Sequence, residues 1–470
     1  MTSILDLAPY LPTYRLTGQI TAAAWGGRAS GQSRSVANYD EDTVTMAHAA
    51  LSEILCESGG NSGSLQALYF ASANPPYAEK SCADIVAFAC DLPQRLRTAD
   101  FTGSPRAGTQ ALLTAMDYVA SSGGTAAVVV SDMRLAMPGS ALEMQMGDGA
   151  VALTVGAGEG IAEVVGSLSW SDEFTDFWRL PEQRYTRAAD ARFVQEQGYE
   201  RVLGVALQQL LAEHGLTAGD LGAVAFAAPD AKGHQAVGKR LGLRPDQIAD
   251  PGIYRDPGHL GTAHPFLALT AVLERVTPGQ YVALLAFGSG ADAILLRTTP
   301  ALQAWQAKRR LAAQAERARP LPTYGHFLSF RRLVDGEKIE PYSSLMLAWR
   351  EQESNLRRKA HRCQACGQIH FPPHNVCPKC QSRAEFAKVR LSDRGTIVTF
   401  TCDRLAPSPD APVIMVVVDL DGGGRMFTQL VDAKPDEVAI GKRVEFVFRR
   451  FHEGGGAVNY FWKFRLERRG

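Results

Sequence analysis

Four cysteines stand in two tight pairs, Cys363-Gln-Ala-Cys366 and Cys377-Pro-Lys-Cys380, with ten residues between the pairs. Two such knuckles bring four thiolates to one point, where they close a tetrahedron around Zn²⁺ and leave no position open for water. A closed site staples a fold and performs no chemistry, so the expected zinc is structural. His361, His370 and His374 lie close by, but four sulfurs suffice. A pair of disulfides is the competing reading, and it needs an oxidising compartment. The remaining thiols, Cys56, Cys82, Cys90 and Cys402, are scattered, and Cys82 and Cys90 fall in an expected helix where packing is their ordinary role.

Other residues could move protons. Gly258-His-Leu-Gly-Thr-Ala-His264 is a Gly-bounded loop opening a helix; His259 is its first candidate for acid/base work, against the plainer role of a loop imidazole bonded to backbone. His264, at the helix start, reads as structural. Tyr77 follows Pro75-Pro76, and its phenol can donate and accept or simply pack beneath its loop. In Gly288-Ser289-Gly290, backbone N–H groups around Ser289 could face an anionic oxygen, or the turn could merely join two strands. Asp230 and His234 flank Lys232 in a segment that reads as a solvated loop. Asp148, within Gly147-Asp148-Gly149, reads as a cap for backbone N–H groups.

These residues need a scaffold. Apolar runs at Ala67–Ala71, Ala126–Ser131, Ala150–Gly156, Ala223–Ala227, Tyr281–Phe287 and Ala293–Arg297 predict strands. Longer segments at Glu41–Cys56, Ala107–Ser121, Gln195–His214, Ala231–Leu241 and Ala263–Val276 predict helices. Such alternation argues for layered α/β with a buried sheet. Strand, Gly-rich turn, strand occurs at 126–156 and again at 281–297, which points to an internal duplication; chance spacing of glycine turns is the alternative. Residues 298–318 read as a solvated connecting helix, and a second helix is expected over Ser343–Arg358. Beyond the cysteines, Lys388–Leu391, Thr396–Cys402, Val413–Leu420, Met426–Val431, Arg443–Phe451 and Ala457–Leu466 predict five or six short strands. Separated by turns such as Asp421-Gly-Gly-Gly424 and Glu453-Gly-Gly-Gly456, they fit a small β-barrel.

The chain has 470 residues, too many for one core. With 46% apolar and 21% charged residues it is an ordinary folded composition, which excludes disordered, collagenous and coiled-coil chains. Its 49 basic and 49 acidic residues cancel, so no overall field draws it to nucleic acid or membrane. Residues 341–470 are locally basic, with 21 Lys and Arg against 14 Asp and Glu, which suits a phosphate-bearing small molecule. No stretch reaches the roughly 20 apolar residues of a membrane span. Met1–Tyr10 shows no secretory pattern, and a cytoplasmic location is expected.

A resemblance becomes specific at several stretches. Ala8-Pro-Tyr-Leu-Pro-Thr-Tyr-Arg15, Asp40-Glu-Asp-Thr-Val44, Pro76-Tyr-Ala-Glu-Lys80, Arg106-Ala-Gly-Thr109, Gly147-Asp-Gly-Ala150, Phe287-Gly-Ser-Gly290 and Thr323-Tyr-Gly-His326 resemble hydroxymethylglutaryl-CoA synthase of the short prokaryotic type, within the thiolase superfamily. Residues 341–470 are similar to zinc-ribbon plus OB-fold proteins that accompany thiolase-like enzymes as partner subunits. The resemblance implies a duplicated thiolase-like α/β domain at 1–330, a linker helix at 331–358, a zinc ribbon at 359–388 and an OB-fold at 389–470. It also implies an acyl-CoA substrate and a homodimer. Coenzyme A phosphates would call for basic side chains, with Arg106 and Lys232 as candidates and Lys239 and Arg240 as further options.

The family mechanism uses a cysteine that carries the acyl group, a glutamate for proton transfer and a histidine that activates the condensing partner. Carried over by position, the cysteine falls on Pro105, the glutamate on Ala73, the histidine on Ala227, and an asparagine of a later loop on His259. A ping-pong acyl transfer needs a loadable nucleophile, and proline offers neither that nor an N–H. Ser104 could substitute only with an adjacent base. A retro-aldol cleavage of a 3-hydroxyacyl-CoA needs an enolate-holding site and one acid/base group but no covalent intermediate. Steroid side-chain aldolases, thiolase-like proteins with a zinc-ribbon/OB partner and without the usual cysteine, make this the leading expectation, with His259, Tyr77 and Ser289 as site residues. Two readings stand beside it: a synthase-like acyltransferase with another nucleophile, and a non-catalytic scaffold that binds CoA thioesters. The barrel aromatics would also suit stacked bases, but fusion to a thiolase-like domain argues against nucleic acid.

Overall fold

A computed structural model describes residues 2–57, 64–250, 252–334, 343–383, 385–454 and 456–467. The chain divides into two compact units. One comprises Met1–Asn38, Asp42–Ala87 and Leu92–Phe327, and the other Tyr39–Glu41, Phe88–Asp91 and Leu328–Gly470.

The first unit is built on a nine-stranded sheet. Its strands are β1 (Thr2–Tyr10), β2 (Leu65–Ala71), β3 (Arg97–Phe101), β4 (Thr125–Met133), β5 (Asp148–Ala157), β6 (Ala162–Ser171), β7 (Leu221–Phe226), β8 (Tyr281–Phe287) and β9 (Gly290–Thr298). In space they run β7-β8-β9-β6-β1-β5-β4-β2-β3. The order contains the same motif twice. β2 pairs parallel with β4, which pairs antiparallel with β5, which pairs antiparallel with β1. In the other half β7, β8, β9 and β6 repeat those three relationships in turn. Even the parallel partner of β2, β3, has a vestige in the second half as a bridge between Val224 and Ile248. The expected duplication is therefore a property of the topology.

Strands β4, β5, β8 and β9 are buried on both faces, which explains why Ala126-Ala-Val-Val-Val130 is an unbroken apolar run with no polar alternation. Side chains still alternate in direction. Ala223, Ala225, Val282 and Leu284 join one core with helices Ala107–Ser122 and His264–Leu273. Val224, Phe226, Ala283 and Leu285 join a second core with helix Arg201–Glu213. The first two helices touch closely. A Cβ on Gly108 would lie 2.7 Å from Phe266 Cε2 and 3.0 Å from Val130 Cγ1, so only glycine fits.

Two segments depart from the sequence reading. Gln195–His214 is not one α-helix: Val194–Glu200 is π-helical and leads into Arg201–Glu213, which buries Tyr199 in the wider turn. Residues 298–318 are not a solvated connector. They form Leu302–Gln306 and Arg310–Ala315, which belong to the first unit. Trp305 donates to Leu7 O at 3.0 Å and Gln314 Nε2 to Pro9 O at 3.1 Å, so polar side chains without an apolar stripe are held by hydrogen bonds to β1.

The second unit contains a three-stranded sheet, Lys359–Cys363 between Ile369–His370 and Phe386–Arg390, and a closed five-stranded barrel. Phe386–Arg390, expected near the barrel, pairs instead with Lys359–Cys363. The barrel interior holds stacked Phe446 and Phe464, 4.3 Å apart, and the Arg358 guanidinium lies 4.2 Å from the Trp462 ring. The expected linker helix becomes Leu345–Arg350 and Gln352–Asn355; residues 335–342 of it, and Gly455 of the Glu453–Gly456 turn, lie outside the described residues.

Candidate functional site

The four ribbon cysteines converge, with all sulfurs within 4.8 Å of one another. Cys363 Sγ and Cys380 Sγ are 3.8 Å apart, and Cys366 Sγ and Cys377 Sγ 3.6 Å. With Zn–S bonds of about 2.3 Å, the edge of a ZnS₄ tetrahedron is about 3.8 Å; those two sulfur pairs match it, and the four-thiol donor set fits Zn²⁺. Gly367 follows the first knuckle at φ +74°, and its N–H donates to Cys363 O at 2.8 Å, which closes the turn. His361 Nδ1 meets His374 O at 3.1 Å, and the converging group consists of the four sulfurs.

In the first unit, the start of helix Ala107–Ser122 meets the β8–β9 turn. A Cβ on Gly288 would lie 2.7 Å from Ser104 Oγ and 3.1 Å from Pro105 Cδ, so the turn rests on Ser104 and Pro105. Ser104 Oγ donates to Gly288 O at 3.1 Å and accepts from Arg106 N at 3.2 Å. It is thus a tether for the turn, and none of these partners is a base. Arg106 is fully engaged here. Nε donates to Gly288 O, Nη2 to Ser289 O and Nη1 to Asp292 Oδ1, at 3.1, 3.1 and 3.2 Å. Buried Asp292 also accepts from Thr109 and Ser169. Ser289 stands exposed in the left-handed region at φ +51°, its hydroxyl donating to Phe174 O at 3.3 Å.

His259 lies deep, 5% exposed. Its backbone is held to the β4–β5 connection, donating to Gln145 O and accepting from Gly147 N. Gly261 N and Arg134 Nη2 both point at His259 Nδ1 from 3.0 Å. Arginine can only donate, so Nδ1 accepts and the ring proton sits on Nε2. Nε2 is buried and has no partner among the described residues. Burial first and the Arg134 charge second hold the imidazole well below its usual pKa. His259 is consequently a neutral N–H donor rather than a base, with its proton aimed away from Arg134.

Behind it the rings of His264 and His259 stack 4.7 Å apart, and Tyr254 lies 4.2 Å from His264. Leu260 N donates to His264 Nδ1, while Tyr254 Oη accepts from Ala228 N and meets His234 Nδ1 at 3.2 Å. Burial lowers His264 strongly and His234 to about 4. This row of neutral rings reaches Ala228 through Tyr254, one residue beyond Ala227.

Sequence reasoning missed Asp176 and Tyr199. Asp176 is 2% exposed, hydrogen-bonded to Tyr199, with Oδ2 buried and unpartnered among the described residues. Burial pushes its carboxyl up to about 6 against the lowering effects of the Phe177 N–H bonded to it and of the Arg134 charge. Tyr199 and Phe174 both pack on Phe287, with ring centroids at 4.6 and 5.7 Å, just before the Gly288 turn. Phe177 lies between the Arg134 guanidinium at 4.9 Å and the His259 ring at 6.4 Å. Only the π-helical turn at Tyr199 could have signalled this cluster, and no spacing rule marks it.

Among the other expected residues, Tyr77 is half-buried with the Lys80 ammonium 5.7 Å from its ring. Lys232 is exposed on helix Ala231–Arg240, which Asp230 caps by accepting from Gly233 N at 2.7 Å. Asp148 accepts from Ala37 N at 2.8 Å. Ala73 N donates to Asp132 Oδ1, which Ser72 also contacts, and Thr262 N donates to Oδ2, so this carboxylate ties the Ala73 segment to the loop after His259. Burial and Asp100 raise the Cys82 thiol to about 12, which leaves it protonated and inert. No helix of the described residues is long and apolar enough to cross a membrane.

Comparison with known proteins extends these observations. Residues 211–297 match the 3-oxoacyl-[acyl-carrier-protein] synthase III C-terminal family, residues 359–386 the ChsH2 rubredoxin-like zinc ribbon domain, and residues 388–449 the ChsH2 C-terminal OB-fold domain. The hydroxymethylglutaryl-CoA synthase of Thermococcus gammatolerans is 30% identical over 320 residues, 67% of this chain and 90% of that protein. That of Methanopyrus kandleri is 28% identical over 339 residues, 70% of this chain and 97% of the relative. Among solved structures, MvaS in complex with 3-hydroxy-3-methylglutaryl coenzyme A superposes with a TM-score of 0.65 at 22% identity, covering 72% of this chain and 94% of that one. The Aquifex aeolicus 3-oxoacyl-[acyl-carrier-protein] synthase III gives 0.54 at 18%, covering 63% and all of that chain.

Proposed function

The chain belongs to the hydroxymethylglutaryl-CoA synthase family, and from that premise we propose that it breaks or forms the bond between Cα and Cβ of a 3-hydroxyacyl-CoA through an enolate, with no acyl-enzyme. The observation that carries this reading is Pro105, seated against Gly288 at the position to which the resemblance carries the family nucleophile. It removes the sulfur and also one backbone N–H from the oxyanion site. The buried Nε2–H of His259, without a partner among the described residues, is the donor proposed for the enolate oxygen; in the β8–β9 turn Gly288 N already donates to Gly290 O, which leaves the N–H of exposed Ser289 as the second candidate. A neutral donor stabilises a developing oxyanion without first forming an ion pair that must be broken.

In the cleavage direction the β-hydroxyl loses its proton, its electrons form the new carbonyl, and the Cα–Cβ pair moves onto the thioester as an enolate. Protonation at Cα then yields the shortened acyl-CoA. Tyr77 would hydrogen-bond the β-oxygen, and Lys232 would meet a coenzyme A phosphate. Arg106, expected in that second role, instead anchors the turn through Gly288, Ser289 and Asp292. Cys363, Cys366, Cys377 and Cys380 would hold Zn²⁺, which supplies a fixed crosslink to the ribbon. The active form is proposed as a cytoplasmic homodimer.

Incubating the purified protein with a series of 3-hydroxyacyl-CoA thioesters tests this directly. Release of a carbonyl compound and a shortened acyl-CoA, with the protein mass unchanged throughout, is the expected result. A covalently acylated protein on incubation with acetyl-CoA would return the chain to synthase-type chemistry, and tight CoA-thioester binding without turnover would make it a scaffold.

A further inference from the structure

The proposed reaction needs a group that takes a proton from the β-hydroxyl and later delivers one to Cα. His259 cannot serve, because its Nδ1 is filled by two donors. Tyr254 and His234 are bonded to each other, His264 Nδ1 accepts from Leu260 N, and Tyr199 is bonded to Asp176. Ser104 and Arg106 hold the β8–β9 turn. One buried acid remains in this neighbourhood with an oxygen to spare.

We infer that Asp176 is the proton-transferring group of this site. The inference rests on the enolate reading above. Three contacts tie the Asp176 segment to the Ser289 turn and to His259. Ser289 Oγ bonds Phe174 O, Phe174 packs on Phe287, and Phe177 lies beside both Arg134 and His259. A carboxyl this deep is normally tied up on both oxygens. Here Oδ2 has no partner among the described residues, while Tyr199 and the Phe177 N–H bond the carboxyl. The raised titration point near 6 fits a base that must both accept and return a proton close to neutrality. The charged and titratable groups facing it are Arg134 and Tyr199, with Tyr254 behind Tyr199.

The step balances without any co-reactant. Ionised Asp176 takes the hydroxyl proton as the C–O bond becomes C=O and the Cα–Cβ pair enters the enolate. The resulting carboxylic acid then gives that proton to Cα, and the thioester carbonyl reforms. The enzyme ends in its starting state.

Two assays on Asp176→Asn and Asp176→Glu separate the possibilities. One follows cleavage of the 3-hydroxyacyl-CoA series; the other follows deuterium exchange at Cα of butyryl-CoA in D₂O. Loss of a positioned acid/base group costs about 10²- to 10⁴-fold, so D176N is expected to lose both activities by at least about a hundredfold. Butyryl-CoA should still bind within about threefold of wild type, and D176E should recover part of the rate. Wild-type cleavage with D176N unimpaired overturns the inference and spares the enolate reading. Wild-type exchange that D176N abolishes, without any cleavage, upholds Asp176 and overturns the retro-aldol assignment. Absence of both activities in the wild type overturns both. If D176N does not fold, infrared titration of isotope-labelled aspartate in the wild type decides instead. A carboxyl titrating near 6 that moves when butyryl-CoA binds is expected, and one indifferent to the thioester refutes the role.

Discussion

Arg134 Nη2 stands 3.0 Å from Nδ1 of His259, a contact between a permanent cation and an imidazole that can only be made if the imidazole is uncharged. The same pair defines where the His259 proton points. His259→Gln, which can still present an N–H, should keep more 3-hydroxyacyl-CoA cleavage than His259→Ala; loss of one oxyanion donor costs about 10²–10³ in rate. Equal activity of the two variants would remove His259 from the donor role. Nitrogen NMR of the labelled protein should find the Nε2–H form unchanged from pH 8 to pH 5.

Three neutral buried histidines make stability depend on acidity. His234, His259 and His264 are all lowered by burial, so below about pH 6.5 the unfolded chain binds protons that the native chain refuses. Stability therefore falls as pH falls, and each unmatched proton removes about 1.4 kcal/mol per pH unit. Asp176 acts in the opposite sense between about 6 and its ordinary range, because there the native carboxyl holds a proton and the unfolded one does not. The net expectation is a loss of about 3 kcal/mol per unit near pH 5, steeper in D176N, read from urea midpoints. A midpoint that is flat from pH 7 to pH 5 contradicts it.

Pro105→Cys restores a thiol at a helix start but not the histidine that would activate it. Intact mass after exposure to acetyl-CoA should show no adduct for the wild type and slow acylation for P105C. Adding Ala227→His should accelerate that acylation. Rapid acylation of the unaltered protein would mean that another nucleophile is at work.

The ribbon should carry one zinc per chain by elemental analysis, and Cys377→Ser should lose it. Structural zinc contributes about 10 kcal/mol or more of folding energy in isolated ribbons and fingers, so chelation should open the second unit's sheet cooperatively. Full metal retention in C377S would argue for a different ligand set.

Gly108→Ala places a methyl group where Phe266 and Val130 already stand. Overpacking of this kind costs about 1–3 kcal/mol, visible as a lower urea midpoint. An unchanged midpoint would mean that the two helices separate freely.

Much of this architecture was legible in residue order. Cys363, Cys366, Cys377 and Cys380 announce their geometry because knuckle spacing is local. Ala126–Ser131 and Tyr281–Phe287 announce buried strands because both faces are apolar, and the repeated strand-turn-strand pattern survives as repeated pairing. Pairing partners are not local, which is why Phe386–Arg390 could be foreseen as a strand but not as part of the ribbon. The same limit hid the core of the site. Arg134, Asp176 and Tyr199 come from three separate segments with no sequence neighbour that marks them, whereas His259 stood out by its Gly-bounded loop. Trp305 and Gln314 escaped notice because hydrogen bonds to β1 leave no periodic stripe.

The ring of Pro105 also has a pharmacological meaning. Electrophilic warheads that disable thiol-bearing condensing enzymes find nothing to alkylate at this position, and buried Cys82 stays protonated. A thiol-directed reagent should therefore leave residue 105 unmodified, whatever it does to a protein that carries a cysteine there.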